Sequence, residues 1–246
     1  MWRYGLIVFA GYVAFLAATV PAHLVVSQVA LPPSVTLTDV RGTIWSGRAV
    51  LMATAQQGTP LLSRVRFHVW PGALLHGRWG YVLTGQGPLA GHVAVAVTSH
   101  RVELADMALT VSAKAAAAVF PALRDEGAGG VFAVRDQDWV MGSHPHGGGA
   151  LVWRDARLAS APVDPLGSYR LVFSVTPAGV LYAIHTLSGK LVITGHGHYG
   201  RASRMVSFRG LVTGHGLRLQ GFLSGIGFSA AHGARRIRLR LPLSAL

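Results

Sequence analysis

The chain has no cysteine, only two lysines and only nine acids in 246 residues. Lack of cysteine excludes a disulfide scaffold, a thiol nucleophile and any cysteine-ligated zinc or iron–sulfur site. It does not report the redox compartment, because an exported chain can simply avoid thiols. Charged residues make up only 13%, against 51% hydrophobic residues and a mean hydropathy of +0.42, which argues against a disordered chain. The 31 glycines follow no three-residue period, so a collagen-like rod is excluded.

What charge there is lies unevenly. The formal net charge is +13, and 20 of the 22 basic residues are arginine. Residues 1–102 carry net +6, residues 103–164 net −3, and residues 165–246 net +10 with no acid after Asp164. A pole this basic seeks phosphate, an anionic membrane surface or an acidic protein.

After Arg3 no charge occurs until Asp39. Tyr4–Val26 is long enough to span a bilayer core of about 30 Å as a helix, and Trp2 and Tyr4 stand where an aromatic belt would. The rival is a cleaved signal peptide, with Val20-Pro21-Ala22 as the cleavage site. The apolar run exceeds a usual signal core, which favours an uncleaved anchor. The expected organisation is a cytoplasmic N-terminus and anchor over residues 1–30, then a periplasmic body over residues 31–246.

That body reads as mostly β. Val65, Phe67 and Val69 alternate with Arg64, Arg66 and His68, and Tyr169, Leu171 and Phe173 alternate with Arg170, Val172 and Ser174. Period two with one apolar face predicts half-buried strands, and turn residues at roughly ten-residue intervals suit an antiparallel fold. Val102 and Leu104 give way to Met107, Leu109 and Val111, a phase slip that predicts a β-bulge near Ala105-Asp106. One stretch reads as helix, Ser112–Leu123, with Ser112 as N-cap and Pro121 limiting it near its end.

Two halves can be overlaid. Gly42–Trp45 answers Ala150–Trp153, Arg66–Pro71 answers Val172–Pro177, and Leu83-Thr84-Gly85 answers Leu187-Ser188-Gly189, with offsets drifting from 108 to 104. The ordered tryptophan, proline and glycine matches predict two related meanders, near residues 34–111 and 142–213, packed as a curved or U-shaped sheet pair.

The membrane segment is followed by Leu31-Pro32-Pro33-Ser34-Val35, then Val40-Arg41-Gly42-Thr43-Ile44-Trp45-Ser46-Gly47, then Val69-Trp70-Pro71-Gly72-Ala73-Leu74-Leu75 and Gly77-Arg78-Trp79. This layout resembles the type II secretion system protein N family of Gram-negative bacteria, and the resemblance covers almost the whole chain. It implies an inner-membrane protein with a periplasmic β domain and an accessory, non-enzymatic role in exporting folded proteins. It carries over no catalytic residues. The density of arginine and histidine departs from the family's pattern.

The residues yield no catalytic or cofactor motif. Gly195-His196-Gly197-His198-Tyr199-Gly200 matches the dinucleotide fingerprint, but strand-like sequence follows it where a helix is required, and no acid follows to hold a ribose. Gly225–Ala230 fails on the same missing acid. Gly189-Lys190 is followed by Leu191, where a phosphate loop needs serine or threonine. No nucleophile elbow, zinc helix or glycosidase-like acid pair is present. No cofactor is expected.

His196 and His198 would point the same way from a strand, and His144 and His146 could do likewise from a loop. A zinc site needs further ligands; His185 and His215 are candidates, but no spacing demands one. No metal is assigned. The candidate role for His196 and His198 is a pH-responsive cluster, against a bland reading as a solvated polar strand face. Arg236, Arg238 and Arg240 would line one face of a terminal strand opposite Ile237, Leu239 and Leu241. They are candidates for contact with anionic headgroups or an acidic partner, against a solvated stripe that discourages edge aggregation. Nucleic acid is not expected, since no aromatics interleave with these arginines. Trp45, Trp79, Trp139 and Trp153 read as core or sheet-end residues.

Three functions compete. The leading one is a membrane-anchored accessory part of type II secretion that grips other components of that system. The alternative is a tethered β-groove that binds or transfers lipid, discriminated by whether an open apolar trough exists. An enzyme of unrecognised type is the third.

Overall fold

The computed structural model describes residues 19–23, 35–53, 61–98, 100–214, 219 and 234–242. The expected membrane anchor lies mostly outside these residues. Among the described residues no helix is long and apolar enough to cross a membrane.

Thirteen strands form the body: β1 (Val35–Gly42), β2 (Ser46–Ala53), β3 (Leu61–Val69), β4 (Trp79–Gln86), β5 (Leu89–Val97), β6 (Arg101–Ser112), β7 (Gly129–Gly142), β8 (His146–Arg157), β9 (Gly167–Thr176), β10 (Gly179–Gly189), β11 (Leu191–Gly200), β12 (Met205–Gly214) and β13 (Ala234–Pro242). They form one sheet in sequence order, each antiparallel to its neighbour. The mostly-β, antiparallel expectation holds. The expected pair of sheets does not: β6 and β7, at the join of the two halves, pair from Arg101 opposite Gly142 to Ser112 opposite Val131, so one ladder runs through.

The alternation seen in the sequence becomes two faces. One row of cross-strand partners traverses the sheet as Arg41, Arg48, Arg66, Thr84, His92, Ala108, Arg135, Ala150, Val172, Ala183, His196, Arg209 and Arg238. Apart from Val172 it is polar or small, with arginine concentrated at both ends. A neighbouring row on the opposite face runs Leu89, Val111, Phe132, Trp153 and Tyr169.

The sheet curls around this apolar face. In a flat sheet β2 and β8 would lie about 29 Å apart, six spacings of about 4.8 Å. Yet Leu51 of β2 and Leu151 of β8 line a single cavity.

Bulges accompany the curl. Asp39, Asp106, Asp138 and Asp155 all have φ between 48° and 58°, and each sits where a strand register shifts. Aspartate tolerates the left-handed region better than most residues, and a bulge bends its strand and increases local twist. The bulge expected near Ala105-Asp106 is one of these: His92 pairs with Ala108 while Ala94 pairs with Ala105.

The helix expected over Ser112–Leu123 is two short ones, Ala113–Ala117 and Pro121–Asp125. Ser112 caps the first, its Oγ accepting from the Ala115 N–H at 3.2 Å. Pro121 opens the second instead of closing the first, because its fixed φ suits a first helical turn. A further turn of helix, Pro71–Leu74, also begins with proline and was not expected.

Candidate functional site

Two surfaces stand out, one on each face of the sheet. The first is an apolar trough on the curled face. A cavity of about 500 Å³ is lined from β1, β2, β3, β5, β6, β7 and β8, with the two short helices on one side. Its size falls within the roughly 300–1,000 Å³ of small-molecule sites. Leu51, Leu89, Val111, Phe132 and Leu151 form its floor, and Val119, Phe120 and Leu123 come from the helical segment. Ser63 is the one hydroxyl in the lining, and it is satisfied: Leu89 N–H donates to Ser63 Oγ at 3.0 Å. Phe120 stays 59% exposed. Most fully buried side chains elsewhere are alanines, so large apolar groups along this face are only half covered.

The trough extends toward the C-terminal strands. Phe132 and Leu151 also border a second apolar hollow of about 220 Å³, with Trp153, Leu166, Tyr169 and Ile184. Trp153 Nε1–H donates to the Gly129 carbonyl at 2.9 Å, so its polar atom is used and its ring is left to the hollow. Tyr169 O–H donates to the Leu191 carbonyl at 3.0 Å, and burial pushes its pKa up to about 12. Beyond this hollow, a core cluster gathers Ala156, Leu166, Tyr169, Val212, Leu219 and Ile237.

The second surface is the opposite face of β11, β12 and β13. The register sets His196 beside Arg209 and Arg209 beside Arg238, and in the adjacent row His198 beside Ser207 and Ser207 beside Arg240. Arg236 follows next to Leu211. His196, His198, Arg209, Arg236, Arg238 and Arg240 are all exposed. Ser207 Oγ and His198 Nδ1 share a hydrogen bond of 2.7 Å whose direction the imidazole tautomer decides. The histidine pair and the arginine stripe, read separately from the sequence, thus form one cluster.

The other singled-out residues stay apart. His146 Nδ1 lies 3.0 Å from the His144 carbonyl oxygen, a local turn contact. Among the described residues no group of three histidines or carboxylates is placed to hold a metal; His215 lies outside them. The dinucleotide-like Gly195–Gly200 is the body of β11, and its glycines have a packing reason. A Cβ on Gly195 would meet Phe208 Cζ at 2.5 Å, and one on Gly197 would meet Tyr182 Cζ at 2.5 Å. Those two rings stack with planes 2° apart. Trp45 and Trp79 touch at the sheet end, their ring centroids 6.3 Å apart.

Two features escaped the sequence reading. The trough lining is assembled from residues of seven strands, so no local window contains it. The aspartates read as unremarkable acids, although four of the seven sit at bulges.

The type II secretion system protein N profile matches residues 33–238, which take in the trough and the second surface as far as Arg238. The chain belongs to that family. Membership ties it to type II secretion, with an accessory role in the cell envelope and other components of that system as partners. Comparison with curated proteins and with solved structures gives no match.

Proposed function

We propose that the protein is a non-enzymatic accessory component of type II secretion, held in the inner membrane by its N-terminal segment with its β body in the periplasm. The observation that carries this reading is an open, single sheet in a chain of that family. Among the described residues β13 pairs on one side only, and β1 does so along residues 35–41, its last residue Gly42 accepting a backbone hydrogen bond from Ala22 N–H at 3.1 Å. An open edge is a ready template for an added strand from a partner. The edge at β13 carries Arg236, Arg238 and Arg240, which discourage such pairing, so β1 is the edge for a partner. A photo-crosslinking residue at Thr36 or Thr38 should capture another secretion component in intact cells. Capture from matched positions on β13 instead would contradict the assignment of the edge.

The apolar trough favours a second reading, in which the body binds an acyl chain. Native mass spectrometry of the full chain purified from membranes should then show bound phospholipid. Uniform absence of lipid, with the trough intact, would end this reading and leave the scaffold role standing.

The two halves are further proposed to be copies of one meander. In support, Phe67 and Phe173 of the overlay, together with Gly91 and Gly195 and Leu104 and Phe208, which the same final offset of 104 brings into register, fall on the same face. Superposing β3–β6 on β9–β12 in an experimental structure should overlay those residues; a one-residue slip, which exchanges the faces, contradicts it.

A further inference from the structure

We infer that the outer face of β11–β13 docks on the phosphate-bearing surface of an anionic lipid bilayer, through Arg209, Arg238 and Arg240, with His196 and His198 strengthening the contact when protonated.

The charge balance is the first reason. The ion pairs that join acids to arginine or histidine among the described residues all involve an acid at or before Asp164. None reaches Arg209, Arg236, Arg238 or Arg240, and the sequence has no acid beyond Asp164 to supply one. The register then makes matters worse for the isolated chain, because Arg209 stands directly opposite Arg238. Like charges directly opposite each other on a sheet destabilise it. An anion bound between them removes that cost, and guanidinium matches phosphate oxygens in paired hydrogen bonds.

The composition of the face selects a bilayer among anionic ligands. Val172, Leu181 and Leu211 share it, on the same side as His196, His198 and Arg209, and they are 41%, 57% and 50% exposed. Basic groups interleaved with exposed aliphatic ones suit a surface of headgroups above acyl chains. Single-stranded nucleic acid would be met by stacking rings. The Phe and Tyr rings of β9–β12, Tyr169, Phe173, Tyr182, Tyr199 and Phe208, turn to the opposite face with Leu171, Ile184 and Ile193. An acidic protein would gain from an aromatic centre in the interface, and this face offers none among its described residues.

The described groups that face the two histidines are cationic or neutral. Leu181, Ala183 and His185 face them from β10, Ser207 and Arg209 from β12, and Arg238 and Arg240 from β13 beyond. Arg201 and Arg204 lie in the turn between β11 and β12. Among the described residues no carboxylate faces the imidazoles, so an anionic surface is the partner that rewards their protonation. Histidine changes charge between about pH 5 and 8, so docking should strengthen as pH falls through that window.

The test uses the full chain held in phosphatidylcholine nanodiscs, mixed with separate sedimentable vesicles. Vesicles containing phosphatidylglycerol should carry the protein down, and pure phosphatidylcholine vesicles should not. Raising salt from about 50 to about 500 mM should release it. The triple variant Arg209→Gln, Arg238→Gln, Arg240→Gln should bind roughly a hundredfold more weakly, since each basic residue contributes about a factor of five at such a surface. The same three positions changed to lysine should keep most of the binding, and circular dichroism checks that each variant retains its sheet. Lowering pH from about 8 to about 5.5 should strengthen wild-type binding about tenfold or more, and His196→Gln with His198→Gln should flatten that response. Equal sedimentation with both vesicle types, or unchanged binding by the folded glutamine variant, overturns the proposal. Displacement by soluble polyglutamate at equal charge points instead to an acidic protein and also overturns it. A flat pH response in the wild type removes the histidines from the assignment. None of these readouts depends on secretion, so they fail independently of the proposed function.

Discussion

The Tyr182 ring lies across the backbone of Gly197, and its hydroxyl donates to the Ser207 carbonyl at 2.9 Å on the next strand. A side chain at residue 197 would collide with the ring and with the Ser207 carbonyl oxygen. The ring covers the gap that a glycine leaves in a strand, so three strands are locked by one tyrosine. Gly197→Val should therefore destabilise the fold by about 1–3 kcal/mol, as overpacking does. Chemical denaturation checks this; an unchanged midpoint would show that the ring has room to move.

Glu103 bridges two arginines. Its Oε2 accepts from Arg78 Nη1, and its Oε1 accepts from Arg101 Nε at 2.8 Å. Arg78 and Glu103 are largely shielded from solvent, whereas Arg101 is about half exposed and contributes little. Arg78 Nε already lacks a partner. Glu103→Ala leaves a half-buried guanidinium unpaired and should cost about 1.5–3 kcal/mol. Glu103→Gln, which keeps an acceptor, should cost less. Equal losses for the two variants would argue that shape and not charge is what matters there.

Tyr169 sets an alkaline limit. Burial raises its pKa from 10.0 to about 12. Between those values the unfolded chain has released the phenolic proton and the folded chain still holds it. The folded state therefore binds more protons, and stability must fall as pH rises through this window. The contribution is complete below pH 10 and gone above about 12. Tyr169→Phe should be less stable near neutrality, having lost the bond to Leu191, yet show a flatter alkaline decline in thermal unfolding. An identical alkaline slope in wild type and variant would assign the effect to other groups.

Val111 lies on the trough floor opposite Leu89 and Phe132. Val111→Trp should fill the cavity from below. A fluorescent fatty acid added to the full chain should then bind at least about tenfold more weakly, as expected when a ligand's apolar burial of roughly 1.4 kcal/mol or more is lost. Fatty-acid binding that ignores this substitution would place any bound chain elsewhere.

The strands were legible because each carries its own period of two. Phe67 between Arg66 and His68 needs no tertiary knowledge to be assigned to an inner face. The bulge at Asp106 was legible because a phase slip is local too. The single ladder was not, since the β6–β7 pairing depends on which strands meet and not on what either contains. Pro121 misled for a related reason: proline both ends one helix and starts the next, and only the three-dimensional path of Ala118–Phe120 decides. The stripe Arg236, Arg238, Arg240 and the pair His196, His198 were each visible in the sequence. Their union was not, because it requires β12 to be threaded between them by register.

The most direct measurement is a paired one on the full chain in its native cells. It combines co-purification with the inner-membrane platform of the secretion system and secretion of folded cargo in a deletion strain. An envelope protein that serves export by holding other molecules should co-elute with that platform, and its deletion should lower export. Clean absence from every such complex, together with normal export in the deletion strain, would contradict the account.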